Sequence, residues 1–291
     1  MTYERTSWHE PEHDAIARAF DALADSYDAL YGPEGNAVMT WLREVNLRWL
    51  EETFPPGTRL LELGCGTGEE AIRLAAGGRI IYATDISPRM AAITARKAAK
   101  AGLAARVKVA AMAAGHAGAL TGAGPFDGAY SSFGALNCEP DLAQLARTLH
   151  TLLKPGSFVV CSVMGRWPLF EMAWHLAHLR PNLAFRRLRR GWHRAAIAPG
   201  AGAVNAVAMR YLSGGEIRRL FSPYFTVRLI RALGLLIPPP YLDPFFRRHR
   251  RLFALLEPLE RWLRERWPWY HAGDHIAIWL QRRDDVDQHD G

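Results

Sequence analysis

Cysteine is scarce. Cys65, Cys138 and Cys161 are scattered singly through the chain, which excludes a disulfide framework and a paired-thiolate zinc site. Lysine is nearly missing: of 36 basic residues only Lys97, Lys100, Lys108 and Lys154 are lysine, so the net charge of +7 is carried by arginine. No apolar run reaches the roughly 18 residues a membrane span needs. The first five residues hold an acid and lack the basic-then-apolar order of a secretory leader, so the expected location is cytoplasmic. Between Glu171 and Glu216 there is no acid, while seven arginines occur. Such a stretch suits phosphate, a membrane face or an acidic substrate, and equally a solvated helix face. With 49% apolar and 22% charged residues, the 291-residue chain can bury a sizeable core, and disorder is excluded.

What is present is an alternation of strand-like and helix-like segments, the pattern of a parallel sheet covered on both faces. Strands are predicted at 59–63, 79–84, 107–111, 126–132 and 158–163, and again at 226–233 and 275–280. Helices are predicted at 69–76, 88–100 and from Pro140 to the Lys154-Pro155-Gly156 stop. In the last of these, Leu142, Leu145, Leu149, Leu152 and Leu153 recur at three- and four-residue steps and make one apolar stripe. Residues 166 to about 203 read as helical cap material and 205–212 as an extended segment. Ser213 caps a helix through Phe221, and 238–271 is an insertion, helical from 245 to 267.

The strongest local signal is Leu60-Leu61-Glu62-Leu63-Gly64-Cys65-Gly66-Thr67-Gly68, where the first strand yields to the first helix. Glycines there let backbone turn sharply and approach a ligand, and ligands of open α/β sheets sit beyond the strands' carboxyl ends. Glu69 stands where a dinucleotide fingerprint has its third glycine or alanine. Glu62, two residues before the loop, would repel a pyrophosphate and attract an ammonium. Asp85, about twenty residues on, is placed to accept from two ribose hydroxyls. Together they describe a pocket for a cationic nucleoside. Taken singly, Glu62 reads as well as a strand-end acid, and Asp85 as a helix cap. Cys65 is either a reactive thiol or a small residue tolerated between glycines.

From about Phe20 to Val163 the chain resembles the class I S-adenosylmethionine (SAM)-dependent methyltransferases, small-molecule members similar to the ubiquinone and menaquinone methyltransferases. Besides the loop, Phe20 to Asp28 resembles their N-terminal closing helix, Phe126 to Phe133 their fourth-strand motif, and Leu152 to Ser157 their turn into the fifth strand. The resemblance implies a doubly wound, Rossmann-like α/β fold: a mostly parallel seven-stranded sheet with an antiparallel last strand and helical cap insertions. It divides the chain into closing helices (1–57), a SAM-binding core (58–165), a cap for the substrate (166–212) and the rest of the sheet (213–291).

It implies roles as well. Gly64, Cys65, Gly66 and Gly68 would pass under the methionine part of SAM, with Glu62 holding its amino group directly or through water and Tyr27 covering it. Asp85 would bind the ribose and Ile86 the adenine, and Ser131 and Ser132 would face the methyl. The family's usual acid after the third strand is absent. Met112-Ala113-Ala114 stands there, with Met112 stacking on the ring and the Ala113 backbone serving its edge. Methyl transfer fixes no universal catalytic residue. His116, His175, His178, His271 and His275 are candidate bases, or mere surface and packing residues, with His175 and His178 favoured because they fall in the expected cap. By composition, Trp167, Phe170, Trp174, Leu176 and Leu179 can line an apolar pocket beside Arg186, Arg187, Arg189 and Arg190, or, the reading with the larger share, form the packed inner face of a helical cap whose outer face is charged. The expected partner is a lipophilic or anionic small molecule, with peripheral membrane contact as a further option. No metal and no nucleic acid are expected. The alternatives are a nicotinamide-dependent oxidoreductase on the same sheet and a non-catalytic SAM-binding protein.

Overall fold

The computed structural model describes residues 13–196 and 206–284. Helices α1 (His13–Leu23), α2 (Tyr27–Tyr31) and α3 (Ala37–Thr53) come first. The side chain of Asn36 caps α3 by accepting from the Met39 amide at 2.9 Å. Next come β1 (Arg59–Leu63), α4 (Glu69–Ala76), β2 (Ile80–Asp85), α5 (Pro88–Lys100), β3 (Val107–Ala111), β4 (Phe126–Ser131), α6 (Leu142–Leu152) and β5 (Leu153–Met164). The first insertion holds α7 (Leu169–Ala177), α8 (Pro181–Ala184), β6 (His193–Ala196) and β7 (Ala206–Met209). After α9 (Gly214–Phe221) and β8 (Phe225–Leu233), a second insertion holds α10 (Asp243–Arg248) and α11 (Arg250–Leu263), and β9 (His275–Arg282) closes the sheet.

Seven strands pair in the order β3-β2-β1-β4-β5-β9-β8, and only β9 runs against the rest. Alternate residues of a strand serve opposite faces. Leu60, Tyr130, Val160 and Trp279 pack with Trp49 and Leu50 of α3, while Leu61, Ala129, Val159 and Cys161 pack with Leu145 and Leu149 of α6. The order reverses between β1 and β4, so the crevice for a ligand opens beyond their carboxyl ends.

The insertions depart from the sequence reading. Part of the expected helical cap is β6, which pairs antiparallel with β7 in a separate two-stranded ribbon. The extended segment expected at 205–212 therefore stays out of the main sheet. Val207 and Met209, two residues apart, instead bury one face against Ile16 and Cys138. The stretch expected to be helical over 245–267 is broken at His249 into α10 and α11. Residues 197–205 lie outside the described residues.

Candidate active site

A cleft of about 1770 Å³ opens at the reversal point. Its floor is the glycine loop, whose three glycines do different work. At Gly64 (φ 76°) a Cβ would lie 2.3 Å from the Ala135 Cβ, and at Gly68 (φ 86°) 2.6 Å from Thr94 Cγ2. Both positions are closed by neighbours. A Cβ on Gly66 (φ 55°) would meet only Tyr27, 3.9 Å away, so this glycine presents bare backbone to the cleft. Asp85, at the end of β2, pins the loop. Its Oδ2 accepts from the Gly66 amide at 2.7 Å and its Oδ1 from the Ser87 amide at 2.9 Å. Burial pushes the Asp85 carboxyl up to about 6, against the pull of those two amides.

The N-terminal helices are tied over this floor by polar contacts. Asp21 accepts from Ser87 Oγ and from the Arg89 amide, and Asp25 pairs with Arg89. Asp28 accepts from Thr67 Oγ1 at 2.6 Å and pairs with Lys97 at 2.7 Å. Tyr27 is thereby held above Gly66, on the cleft wall, and burial raises its phenol well above the ordinary value. From α3, Arg43 pairs with Glu70 at 2.8 Å in a buried contact, and its guanidinium lies over the Phe133 ring at 5.7 Å.

Cys65, Ile86, Met112, Ala113 and Ser132 also line the cleft. Burial raises all three thiols, those of Cys138 and Cys161 to about 12, which removes the reactive-thiol reading of Cys65. Ser132 accepts from Asn46 Nδ2 at 3.0 Å.

Besides Gly68, which Thr94 closes off, four expected site residues lie off the cleft wall. Glu62 is 1% exposed and sits beneath the loop on the Leu60 and Tyr130 face of the sheet, off the cleft wall. Burial, and then the nearby Glu70, raise its carboxyl well above the usual range, and its Oε2 has no hydrogen-bond partner. Ser131 turns inward and donates to the Leu63 carbonyl at 2.8 Å. His175 is buried against the Tyr241 hydroxyl at 3.1 Å, away from the cleft wall, and burial lowers its pKa. His178 is solvent-exposed, its Nδ1 2.8 Å from the Trp174 carbonyl.

Of the histidines considered as bases, the one on the cleft wall is His275, at the first residue of β9; His13 and His193 line the cleft as well. Because β9 is antiparallel, its start lies beside Met164 at the carboxyl end of β5. The His275 ring meets Phe133 edge-on at 5.6 Å, and Nδ1 lies 3.0 Å from Asp274 Oδ2. Burial alone would raise the Asp274 carboxyl; Arg187, and then His275, hold it well below the usual range.

Further lining residues, apart from the arginines of the first insertion, were beyond sequence reasoning. Glu139 lines the cleft and accepts from the Gly115 amide at 2.9 Å, so a carboxylate does stand near Met112 and Ala113, supplied from the loop after β4. The far wall is Val207, Met209, Tyr211 and Trp192, with Arg186, Arg189 and Arg190 at the rim. The apolar pocket expected from the first insertion is not formed. Trp167, Leu176 and Leu179 are exposed, and Phe170 and Trp174 pack on Phe245 and Phe253 instead.

Residues 60–156 match the family described as methyltransferase domain. Over 189 residues the chain is 28% identical to a ubiquinone biosynthesis O-methyltransferase of Xanthomonas axonopodis pv. citri, spanning 65% of this chain and 74% of that one. Over 156 residues it is 30% identical to a protein of the same description from Ralstonia nicotianae, spanning 52% and 63%. Among solved structures, the CcbJ methyltransferase of Streptomyces caelestis shares the fold with a TM-score of 0.62 at 15% identity, covering 94% of this chain and all of that one. Domain match, glycine loop and strand order together support a class I SAM-dependent methyltransferase, with SAM as methyl donor. The nicotinamide alternative falls with that assignment.

Proposed function

We propose that the chain methylates a hydroxyl group on a small lipophilic acceptor that carries negative charge. The observation that carries this reading is one cleft with the Gly66–Asp85 floor at one end and the His275–Asp274 pair at the other. Its volume exceeds the roughly 300–1,000 Å³ usual for a single ligand, leaving room for donor and acceptor together.

The residues fit SAM. Gly66 offers backbone without a side chain, and the free lone pairs of Asp85 accept from ribose hydroxyls. Ile86, Met112 and Ala113 form an apolar slot for the adenine, with Glu139 beside it to accept from the amine. Glu62, sealed under the loop, acts on the amino group only through water, for which its unpartnered Oε2 is an anchor. The sulfonium supplies an already activated methyl. What remains for the protein is to align the nucleophile and exclude water, the task of Tyr27 and Phe133. With Nδ1 beside the Asp274 carboxylate, His275 Nε2 would take the acceptor's hydroxyl proton as its oxygen gains the methyl and the donor's sulfur gives it up. The proton then leaves to water. The rim arginines suit an acidic group on the acceptor.

His275→Asn is expected to lower transfer from labelled SAM into acceptors of a cell extract by about 10²–10⁴-fold, the usual weight of a general base. SAM affinity, measured by calorimetry, should stay unchanged. Wild-type transfer by this variant would remove His275 from the chemistry. A second expectation concerns pH. The ribose contacts need ionised Asp85, whose fraction rises from about a tenth to about nine tenths between pH ~5 and ~7, given its value of about 6. SAM should therefore bind about tenfold tighter at the higher pH, and a flat profile would count against Asp85 as the ribose ligand.

A further inference from the structure

Helix α11 is held to the body of the protein by one edge. Phe253 is buried there, and Glu260 accepts from the Leu235 and Leu236 amides at 2.9 and 2.5 Å. On another edge Leu252, Leu255, Leu259 and Trp262 follow at steps of three, four and three residues, which aligns them in one stripe. These four are 49%, 78%, 45% and 54% exposed, and Trp267, just past the helix, is 78% exposed. Among the described residues nothing covers the stripe. Single exposed apolar residues mean little; a row of them on one helix marks a surface that meets something.

The charges beside the stripe say what. From Pro244 to Leu256 there is no acid, while Arg247, Arg248, Arg250 and Arg251 occur together. Arg247 is paired with Asp243. Among the described residues Arg248, Arg250 and Arg251 have no acid within ion-pair distance. Arg266 lies over the Trp262 ring at 4.2 Å. A second copy of the chain on this face would bring these arginine clusters together, an arrangement disfavoured by like charge. Leucine and tryptophan beside arginine, on a helix lying flat, instead match the interfacial layer of a bilayer with anionic headgroups.

We infer that the α10–α11 segment rests on an anionic lipid surface, with the Leu252, Leu255, Leu259 and Trp262 stripe in the interfacial layer and the arginines on the headgroups. The residues just before it, Pro239 to Pro244, include several on the cleft rim, so docking would bring the cleft mouth to the membrane. This surface is independent of the proposed acceptor and base.

The test is co-sedimentation of the full chain with vesicles of phosphatidylcholine alone, and of phosphatidylcholine and phosphatidylglycerol in equal parts. Wild type should bind the mixed vesicles at least tenfold tighter, and lose this in high salt. Arg250→Gln with Arg251→Gln should weaken binding about thirtyfold, at about 1 kcal/mol per arginine. Leu255→Asp with Leu259→Asp should abolish it. Far-UV circular dichroism and SAM affinity should match wild type in both variants, which separates loss of docking from loss of fold. No sedimentation of wild type with the mixed vesicles would overturn the inference, as would binding that both variants retain. Light scattering that showed a dimer, with no vesicle binding, would assign the stripe to a second copy instead.

Discussion

Asp85→Ala is expected to weaken SAM binding by at least about a hundredfold while leaving a folded protein. Two hydrogen bonds from ribose hydroxyls to a buried carboxylate are worth about 1.5–3 kcal/mol each. The substitution also releases the Gly66 amide, so the loop loses the contact that sets its height. Folding should be little affected, because the exposed ends of two amides are offset by removal of a carboxylate whose ionisation burial opposes. Gly66→Arg should abolish binding by another route. The new side chain would start from a left-handed backbone, at a cost of about 1–2 kcal/mol, and point past Tyr27 into the space the ligand needs. Calorimetric titration of both variants checks this, and wild-type affinity in the pair would remove the loop as the SAM floor.

The second large effect is on stability. Arg187, 2% exposed, joins Glu171 and Asp274 by the same guanidinium nitrogen and donates to the Asp274 carbonyl at 3.0 Å. Arg187→Ala should cost about 3–5 kcal/mol, the penalty of leaving buried acids without their partner. The lower end is expected, because Arg186 still reaches Glu171 at 2.7 Å and His275 still reaches Asp274. Arg187→Lys should recover only part, since one ammonium cannot reproduce two nitrogens that hold both acids and the Asp274 carbonyl. Urea unfolding gives the number, and a loss below about 1 kcal/mol would show the cluster to be dispensable. The same variants should lower methyl transfer, because Asp274 orients His275.

The sheet was legible because its signals are local. The run Phe158 to Val163, Pro88 at a helix start, Ser213 before Glu216, and the Leu142-to-Leu152 stripe each declare an element from a few residues. The loop and Asp85 were legible for the same reason. Whether Glu62 meets a ligand directly or through water was not legible, because a residue inside a strand takes the face its parity assigns, and that face is roofed by α3 and the loop itself. His275 was passed over for His175 and His178, which stand among aromatic residues in sequence. Those aromatics pack on α10 and α11, some seventy residues later, and so turn His175 away from the cleft. The contacts that complete the site are all distant: Asn46 to Ser132, Gly115 to Glu139, Arg187 to Asp274. No spacing rule reaches across such separations. The β6–β7 ribbon escaped for a similar reason, since each strand is four residues long and defined by its partner.

The central claim is that this cleft holds a cationic nucleoside on bare loop backbone and Asp85. It is tested most directly by the melting temperature of the wild-type chain, measured separately with SAM, with S-adenosylhomocysteine and with NAD. The account predicts a concentration-dependent rise with the first two and none with NAD. A rise with NAD alone, or no rise with SAM at millimolar concentration, would contradict it.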